Sequence, residues 1–340
     1  MNWITRFNTC SFLDNHLYDS PHHEYECLVA AGIRSELHAQ AGQAFQQLKE
    51  FSQSANDWLF GHFGFDLKNE LEELSSQHPD RIGFDDLYFF VPEVVIEIGK
   101  DHLRIGSCES NHHEIFDAIL QSAHEEKYLQ HETISIQSRF SQEEYLDVIE
   151  KLQDHILYGD CYEINFCQEF FAENIQPDII HVFRKLESIS PMPFSAFYRV
   201  NNQYLLCASP ERYLKKSGTK LITQPIKGTI HRHTEDSQMD FEFKEKLFNS
   251  TKDRSENVMV VDLMRNDLSR ICEPGTVEVE ELYGIYTFPQ VHQMISTITG
   301  IVRKEMDWVD MISNSFPMGS MTGAPKKRVL ELIEQYERSK

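Results

Sequence analysis

Lys227 stands in the string QPIKGT, between Ile226 and Gly228. A lysine amine attacks carbon only when neutral, and burial beside other cations lowers its proton affinity toward that form. A solvent-exposed lysine in a tight turn is the plain alternative for a residue that precedes a glycine. Glu211, in ASPERY, lies 16 positions earlier. A carboxyl there can serve as a general acid if its surroundings are apolar or anionic, or it can be a surface residue beside Arg212. Asp253 and Glu256 are spaced i, i+3 and share a helix face, where solvated charges are commonplace. The residues after Glu256, NVMVVDLM, are too apolar for a solvated face, so this carboxylate needs a partner, either a cation or a metal ion. Asp262 raises the same question, with Arg265 and Arg270 as candidate partners. Ser320 and Thr322, in GSMTGAPK, sit in a glycine-flanked turn before a helix starting near Pro325, a position suited to an anion.

The elements that must position these groups are legible in part. Residues 56 to 105 mix aromatic runs with LYFFVPEVVIEIGKDHLRIGS, whose alternation around Gly99, Lys100 and Asp101 predicts a hairpin. Residues 106 to 135 read as polar and irregular, a candidate mobile crossing. A helix follows from a capping box at Ser141 and Glu144, carries Tyr145, Val148, Ile149, Leu152 and Ile156 at helical spacing, and ends at Gly159. Between 195 and 224, FSAFYRV-NN-QYLLCAS and RYLKK-SG-TKLITQ predict two hairpins, with Glu211 at their join. Residues 238 to 270 lack Gly and Pro and predict one or two helices, of which ENVMVVDLMRND is apolar nearly all round and so expected to be buried. Hairpins interspersed with long helices define an α+β layered fold, not a doubly wound parallel sheet, and no glycine-rich phosphate loop occurs.

Composition narrows the function classes. The 340 residues carry 32 Lys and Arg against 54 Asp and Glu, a formal charge of −22, which repels nucleic-acid phosphates and anionic membrane surfaces. No nucleic-acid or membrane partner is expected. A local cation or a metal ion can still hold an anionic substrate in one pocket. The start, MNWITRFNTCSFLDNH, has no basic segment followed by an apolar one, no run of about 18 apolar residues occurs, and seven scattered cysteines form no CxxC pair. A cytoplasmic protein with reduced, mostly buried thiols is the expectation.

Four strings in order, PIKGT, KDRSENVMVVDLMRNDLSRIC, VHQMISTITG and GSMTGAPKKR, resemble the signature blocks of the chorismate-utilising enzymes. That family includes anthranilate, aminodeoxychorismate, isochorismate and salicylate synthases. The resemblance is densest from about 135 to 340. It implies a four-layer αββα fold with two large, mostly antiparallel sheets. Residues 1 to 130 would be its variable N-terminal part and residues 131 to 340 its chorismate-binding region, in one continuous domain. The lysine of PIKGT is similar to the marker of members that aminate C4 of chorismate on the way to 4-aminobenzoate and folate, whereas PIAGT is typical of members that aminate C2. The resemblance implies that Lys227 adds to C2 as the 4-hydroxyl leaves, that Glu211 protonates that hydroxyl, and that His292 of VHQM is an active-site histidine, a satisfied core histidine being the alternative. It implies further that Gly228, Thr229, Ser320 and Thr322 contact substrate and that Glu256, with Asp253 one turn earlier, holds Mg2+. Ammonia would come from a separate glutamine amidotransferase subunit, since no amidotransferase motif occurs here. C2 amination, isochorismate formation and a non-catalytic chorismate-binding or regulatory subunit are the rival readings.

In relatives, an LLES-like segment and a PSPY-like segment form a tryptophan site. The pieces here are SFLDN, with Asn15 where a serine is usual, and Pro193, Phe194 and Ser195. Phe194 reads more simply as a packing residue. Family members continue for roughly 80 to 90 residues beyond the GAPK block, so the resemblance implies a chain cut short of further substrate and metal ligands.

Overall fold

The computed structural model describes residues 1–18, 22–122 and 134–340. The chain divides into two compact units, each assembled from three stretches of sequence.

The first unit comprises Met1–Leu67, Asp80–Ser138 and Glu169–Pro210. Its six-stranded antiparallel sheet runs in the order Gln203–Ser209, Phe194–Val200, Thr9–Asp14, Cys27–Ala31, Val94–Ile98, Leu103–Ser107. Alternation along these strands fills two cores. Val29, Val94, Ile96 and Phe197 turn to one face with Ile115 and Phe183 of the helices His112–Gln121 and Ile179–Ile189. Their sequence neighbours Ala30, Val95 and Tyr198 turn to the other, against Tyr88, Phe90 and Phe60 of a three-stranded sheet. The hairpin around Gly99–Asp101 forms as expected, pairing Ile98 with Leu103. Residues 106 to 135 are less irregular than expected: Leu103–Ser107 is a strand and His112–Gln121 a helix, which buries chiefly Ile115 and therefore left little apolar periodicity to read. The remainder of that expected crossing, 123–133, lies outside the described residues.

The second unit comprises Lys68–Pro79, Arg139–Gln168 and Glu211–Lys340. Its five-stranded antiparallel sheet is organised by the long strand Val291–Ile301. One edge of that strand pairs with Glu278–Thr287; the other pairs first with Lys220–Gln224 and then with Ile226–His231. Pro225 separates the two segments because it has no N–H to donate to the ladder, while its carbonyl still accepts from Ser296 N (3.3 Å). The helix Thr251–Ile271 lays Val260, Val261, Met264, Leu268 and Ile271 on this sheet against Leu221 and Ile298. It is not buried all round: Val258 and Asp262 face solvent, and Asp262 pairs with Arg265 (2.8 Å). Residues 238 to 270 form two helices, Ser237–Phe248 and Thr251–Ile271, because Ser250 caps the second at Asp253 N (3.3 Å). The helix Gln142–Tyr158 begins with the complete Ser141/Glu144 capping box, ends at left-handed Gly159, and packs Val148 and Leu152 on Val329, Leu330 and Ile333 of Lys326–Tyr336.

All seven cysteines are free, and four of them (Cys10, Cys27, Cys161 and Cys272) are buried. Among the described residues no helix is long and apolar enough to cross a membrane.

Candidate active site

Lys227 is a strand residue, not a turn residue. The segment Ile226–His231 carries a register shift between Ile226 and Thr229, a bulge made possible by Gly228 at φ 93°. A Cβ on Gly228 would stand 2.9 Å from Cβ of Asp253, so the glycine lets the Thr251–Ile271 helix come against the strand beside the lysine. The bulge re-aims Lys227 inward, where its side chain is 17% exposed and its Nζ forms an ion pair with Oε1 of Glu163.

Two more functional side chains converge on this strand. Glu211 precedes the strand Arg212–Ser217, and its Oε1 accepts a hydrogen bond from Ser320 Oγ (2.7 Å). Burial raises its proton affinity above the ordinary carboxylate range; the Ser320 hydroxyl, the Ile226 amide and the charge of Lys227 oppose that rise without cancelling it. Ser320 and Thr322 lie in a one-turn helix, Gly319–Thr322, and not in an open turn, because Thr322 Oγ1 bonds back to the carbonyls of Met318 (3.3 Å) and Gly319 (3.4 Å). Both residues are buried, and the helix Lys326–Tyr336 follows with Pro325 at its N-cap, as expected.

Lys326 anchors this segment. Its Nζ donates to both Asp267 oxygens (3.1 and 3.3 Å) and to the Ser315 carbonyl (3.1 Å), with the carboxylate 1% exposed. Burial raises the proton affinity of Asp267, against the pull of Lys326.

His292 is buried on Val291–Ile301. Its Nε2 lies 3.1 Å from Asp240 Oδ1 and its Nδ1 3.0 Å from Thr287 Oγ1, so both ring nitrogens are engaged by protein groups. Asp240, held well below the usual carboxylate range by the guanidinium of Arg232, ties the Ser237–Phe248 helix to the sheet. Thr229 is exposed and accepts from Gln293 Nε2 (3.4 Å). The other amide atom of Gln293, Oε1, and Nδ2 of Asn257 are buried with no hydrogen-bond partner among the described residues.

The carboxylates proposed for a metal occupy the start of Thr251–Ile271. Glu256 is 40% exposed and faces Lys252 at 3.7 Å, so a cation of its own helix supplies the expected partner. Asp253 is half-buried beside Gly228. Both offer hard oxygen donors on an otherwise lightly committed face, which suits Mg2+, an ion that takes one or two carboxylates and fills its remaining positions with water and substrate oxygens.

In the first unit, register places Asp14 opposite Ser195, which brings Asn15 near Pro193, Phe194 and Ser195. Asn15 Oδ1 accepts from Leu17 N (2.8 Å), its Nδ2 is buried without a partner among the described residues, and Ser195 Oγ lies 3.0 Å from His16 Nε2. One ligand atom from each of Asp14, His16 and Glu187 falls within 4.8 Å of the others. Burial and the charge of Asp14 push the Glu187 carboxyl up to about 7.

Sequence reasoning did not single out Glu163, Asp240, Asp267 or Lys326. A glutamate inside the otherwise β-prone string CYEINF was the available signal for the first of these.

Two antiparallel sheets flanked by helices, with a bulged strand presenting a withdrawn lysine to two carboxylates, define an α+β architecture of the chorismate-binding class. Anthranilate synthase component I of Streptococcus pneumoniae shares it with a TM-score of 0.78 at 20% identity, over 95% of this chain and 79% of that one. The menaquinone-specific isochorismate synthase of Escherichia coli shares it with a TM-score of 0.74 at 16% identity, over 99% and 75%. The chain belongs to the chorismate binding enzyme family, which matches residues 14–340. Among curated relatives, it is 41% identical over 205 residues to aminodeoxychorismate synthase component 1 of Klebsiella aerogenes, covering 60% of this chain and 45% of the relative. It is 34% identical over 281 residues to aminodeoxychorismate synthase component 1 of Escherichia coli K12, covering 82% and 61%. The chain thus spans about half to three-fifths of the length of these relatives.

Proposed function

We propose that this chain carries the aminating site of an aminodeoxychorismate synthase. It replaces the 4-hydroxyl of chorismate by an amino group, in the cytoplasm, with ammonia delivered by a separate glutamine amidotransferase subunit, toward 4-aminobenzoate and folate. The observation that carries the reading is Lys227: it is withdrawn from solvent on a bulged strand, and its charge acts on Glu211, a carboxyl whose burial favours the protonated form. A nucleophile on a bulged strand and a buried carboxyl that feels its charge suit the displacement of a poor leaving group. In that step the Nζ electron pair forms a bond to C2, the ring diene shifts, the C4–O bond breaks, and the hydroxyl departs as water with a proton from Glu211. Ammonia then adds at C4 and the C2–N bond to Lys227 breaks, restoring the diene and the amine.

The buried, unpartnered Gln293 Oε1 and Asn257 Nδ2, together with the exposed Thr229 hydroxyl, are polar groups for a hydroxylated dicarboxylate to satisfy. Ser320 holds Glu211 in place, Thr322 closes the short helix beneath it, and His292 braces the strand through Asp240. Glu256 and Asp253 would hold Mg2+, which when bound supplies positive charge against a substrate carboxylate in a chain of net charge −22. Lysine at 227 disfavours the C2-aminating reading, in which ammonia itself attacks C2.

The test is chromatographic identification of the product after incubation with chorismate, Mg2+ and ammonium. The parent yields C4-aminated chorismate, and Lys227→Ala yields none. An unchanged C4-aminated product from the variant refutes the covalent role of the lysine.

A further inference from the structure

Lys227 meets its carboxylate through a part of the chain that is built to stay put. Glu163 lies on the two-residue strand Glu163–Ile164, which pairs antiparallel with Gly323–Ala324. The pairing is extended on both sides: Tyr162 N donates to Ala324 O (2.8 Å), Asn165 N to Thr322 O (2.9 Å), and Asn165 Nδ2 to Ser320 O (3.2 Å). Gly323, at φ 137°, is obligatory at this crossing, because a Cβ there would run into the carbonyl oxygen of Glu163. The stitched segments therefore deliver two carboxylate contacts as one rigid piece: Glu163 directly to Lys227, and Ser320 to Glu211. The lysine and Glu163 side chains are 17% and 19% exposed, so the pair is largely removed from water, where an ammonium and a carboxylate hold each other far more firmly than on a surface. Glu211 is buried and bonded to Ser320; Asp253, on the Thr251–Ile271 helix, stands beside Gly228; Asp240, on Ser237–Phe248, is committed to Arg232 and His292.

We propose that Glu163 is the positioning residue of Lys227: it docks the lysine as an ammonium on the rigid 162–165/320–324 ladder and takes up the proton that Nζ must lose before its electron pair can bond to carbon. The inference rests on the reading of Lys227 as the nucleophile. The step is a proton transfer within the pair: Lys227–NH3+ and Glu163–COO− become Lys227–NH2 and Glu163–COOH. No electrons change owner and no co-reactant is needed. Its consequence is a division of labour between two carboxyls around one lysine: Glu211 gives a proton to the leaving group, and Glu163 receives one from the nucleophile.

The experiment is competitive labelling of the full chain with acetic anhydride between pH 7 and 12, with mass spectrometry of the Lys227 peptide, in the parent, Glu163→Gln and Glu163→Asp. The plateau at high pH reports access to Nζ; the midpoint reports how tightly the proton is held. Removing the anion should move the midpoint of Glu163→Gln to lower pH with the plateau unchanged, so that labelling at pH 8 rises roughly three- to tenfold. Glu163→Asp should restore most of the parent curve, and it keeps the test decisive should the glutamine variant fail to fold. Exposed Lys252 serves as the internal control. Coincident curves for parent and Glu163→Gln overturn the proposal, as does a raised plateau with an unmoved midpoint, which would make Glu163 a mere shield. Labelling needs no turnover. A shifted midpoint alongside a Lys227→Ala variant that still aminates C4 would therefore keep the pair and discard only the nucleophile.

Discussion

Lys326→Met removes the cation from a carboxylate that is 1% exposed. Among the described residues, Asp267 then keeps its amide contact to Gly319 and the charge of Arg270. An unpaired buried charge destabilises by about 3–5 kcal/mol, but Asp267 has an escape, which is to take up a proton. Protonating a carboxyl of ordinary pKa 3.8 at pH 7 costs about 3.2 × 1.36, or roughly 4 kcal/mol, and this caps the loss. At pH 5 the cap falls to about 1.6 kcal/mol by the same arithmetic. The sign follows from linkage. A carboxyl whose folded-state proton affinity is raised favours the fold at low pH and opposes it as pH rises through the folded value, so the damage should shrink on acidification. Urea unfolding followed by circular dichroism at both pH values is the assay. At pH 7 the transition of the second unit should move down by roughly 1–2 M, for a slope of about 2–3 kcal/mol/M. Adding Asp267→Asn should recover more than half of that loss, since it removes the stranded charge. A loss under about 1 kcal/mol at pH 7, or an equal loss at both pH values, would refute the view that the GSMTGAPK segment is held over Glu211 by a desolvated ion pair.

Two further outcomes follow from the site and from the first unit. Glu256→Gln should raise the Mg2+ concentration needed for half-maximal amination by about tenfold while leaving the melting temperature almost unmoved, because the surface pair with Lys252 contributes at most about 1 kcal/mol; superimposable Mg2+ titrations would remove Glu256 from the metal site. Glu187, raised from 4.5 to about 7, should make the parent lose stability as pH climbs through that interval, by about 1–2 kcal/mol once partial exposure is discounted. Glu187→Gln should flatten the change in melting temperature between pH 5 and pH 8, and an identical slope in the two proteins would show that His16 and Arg184 already neutralise it.

What the sequence disclosed was whatever is settled within a few residues. Ser141 and Glu144 cap their helix reciprocally across three positions, and the Asn201 and Gly218 turns supply the positive φ that their hairpins need. Lys227 was misplaced for the converse reason. Pro225 and Gly228 flank it and read as turn residues, whereas they interrupt and bulge a strand whose register comes from Val291–Ile295, more than 60 positions away. The helix His112–Gln121 escaped notice because one buried residue, Ile115, is too little to make a periodic stripe. Glu163 carries no local mark of its role. Its partner Lys227 and the Gly323 that locks it both lie far along the chain, and a charge inside a β-prone string is neutral information until its counterion is placed. The family resemblance pointed to Glu211, Glu256, Ser320 and Thr322 without saying what surrounds them. The Ser320–Glu211 hydrogen bond and the Lys252 counterion emerge only from the folded chain.

The short ladder between Glu163–Ile164 and Gly323–Ala324 also orders events during synthesis. Asn165 has no strand partner for its amide until Thr322 exists, and the helix Gln142–Tyr158 waits for Val329 and Leu330 to cover Leu152. On the ribosome, at roughly 5–20 residues per second, that wait lasts on the order of ten seconds or more. Throughout it the apolar side of Gln142–Tyr158 is uncovered, so the nascent chain carries an adhesive surface while residues 159 to 330 are added. Chaperone dependence and loss to inclusion bodies at high expression rates are the expected consequences of such late closure. Slowing translation would not help, since the missing partner is late in the message itself.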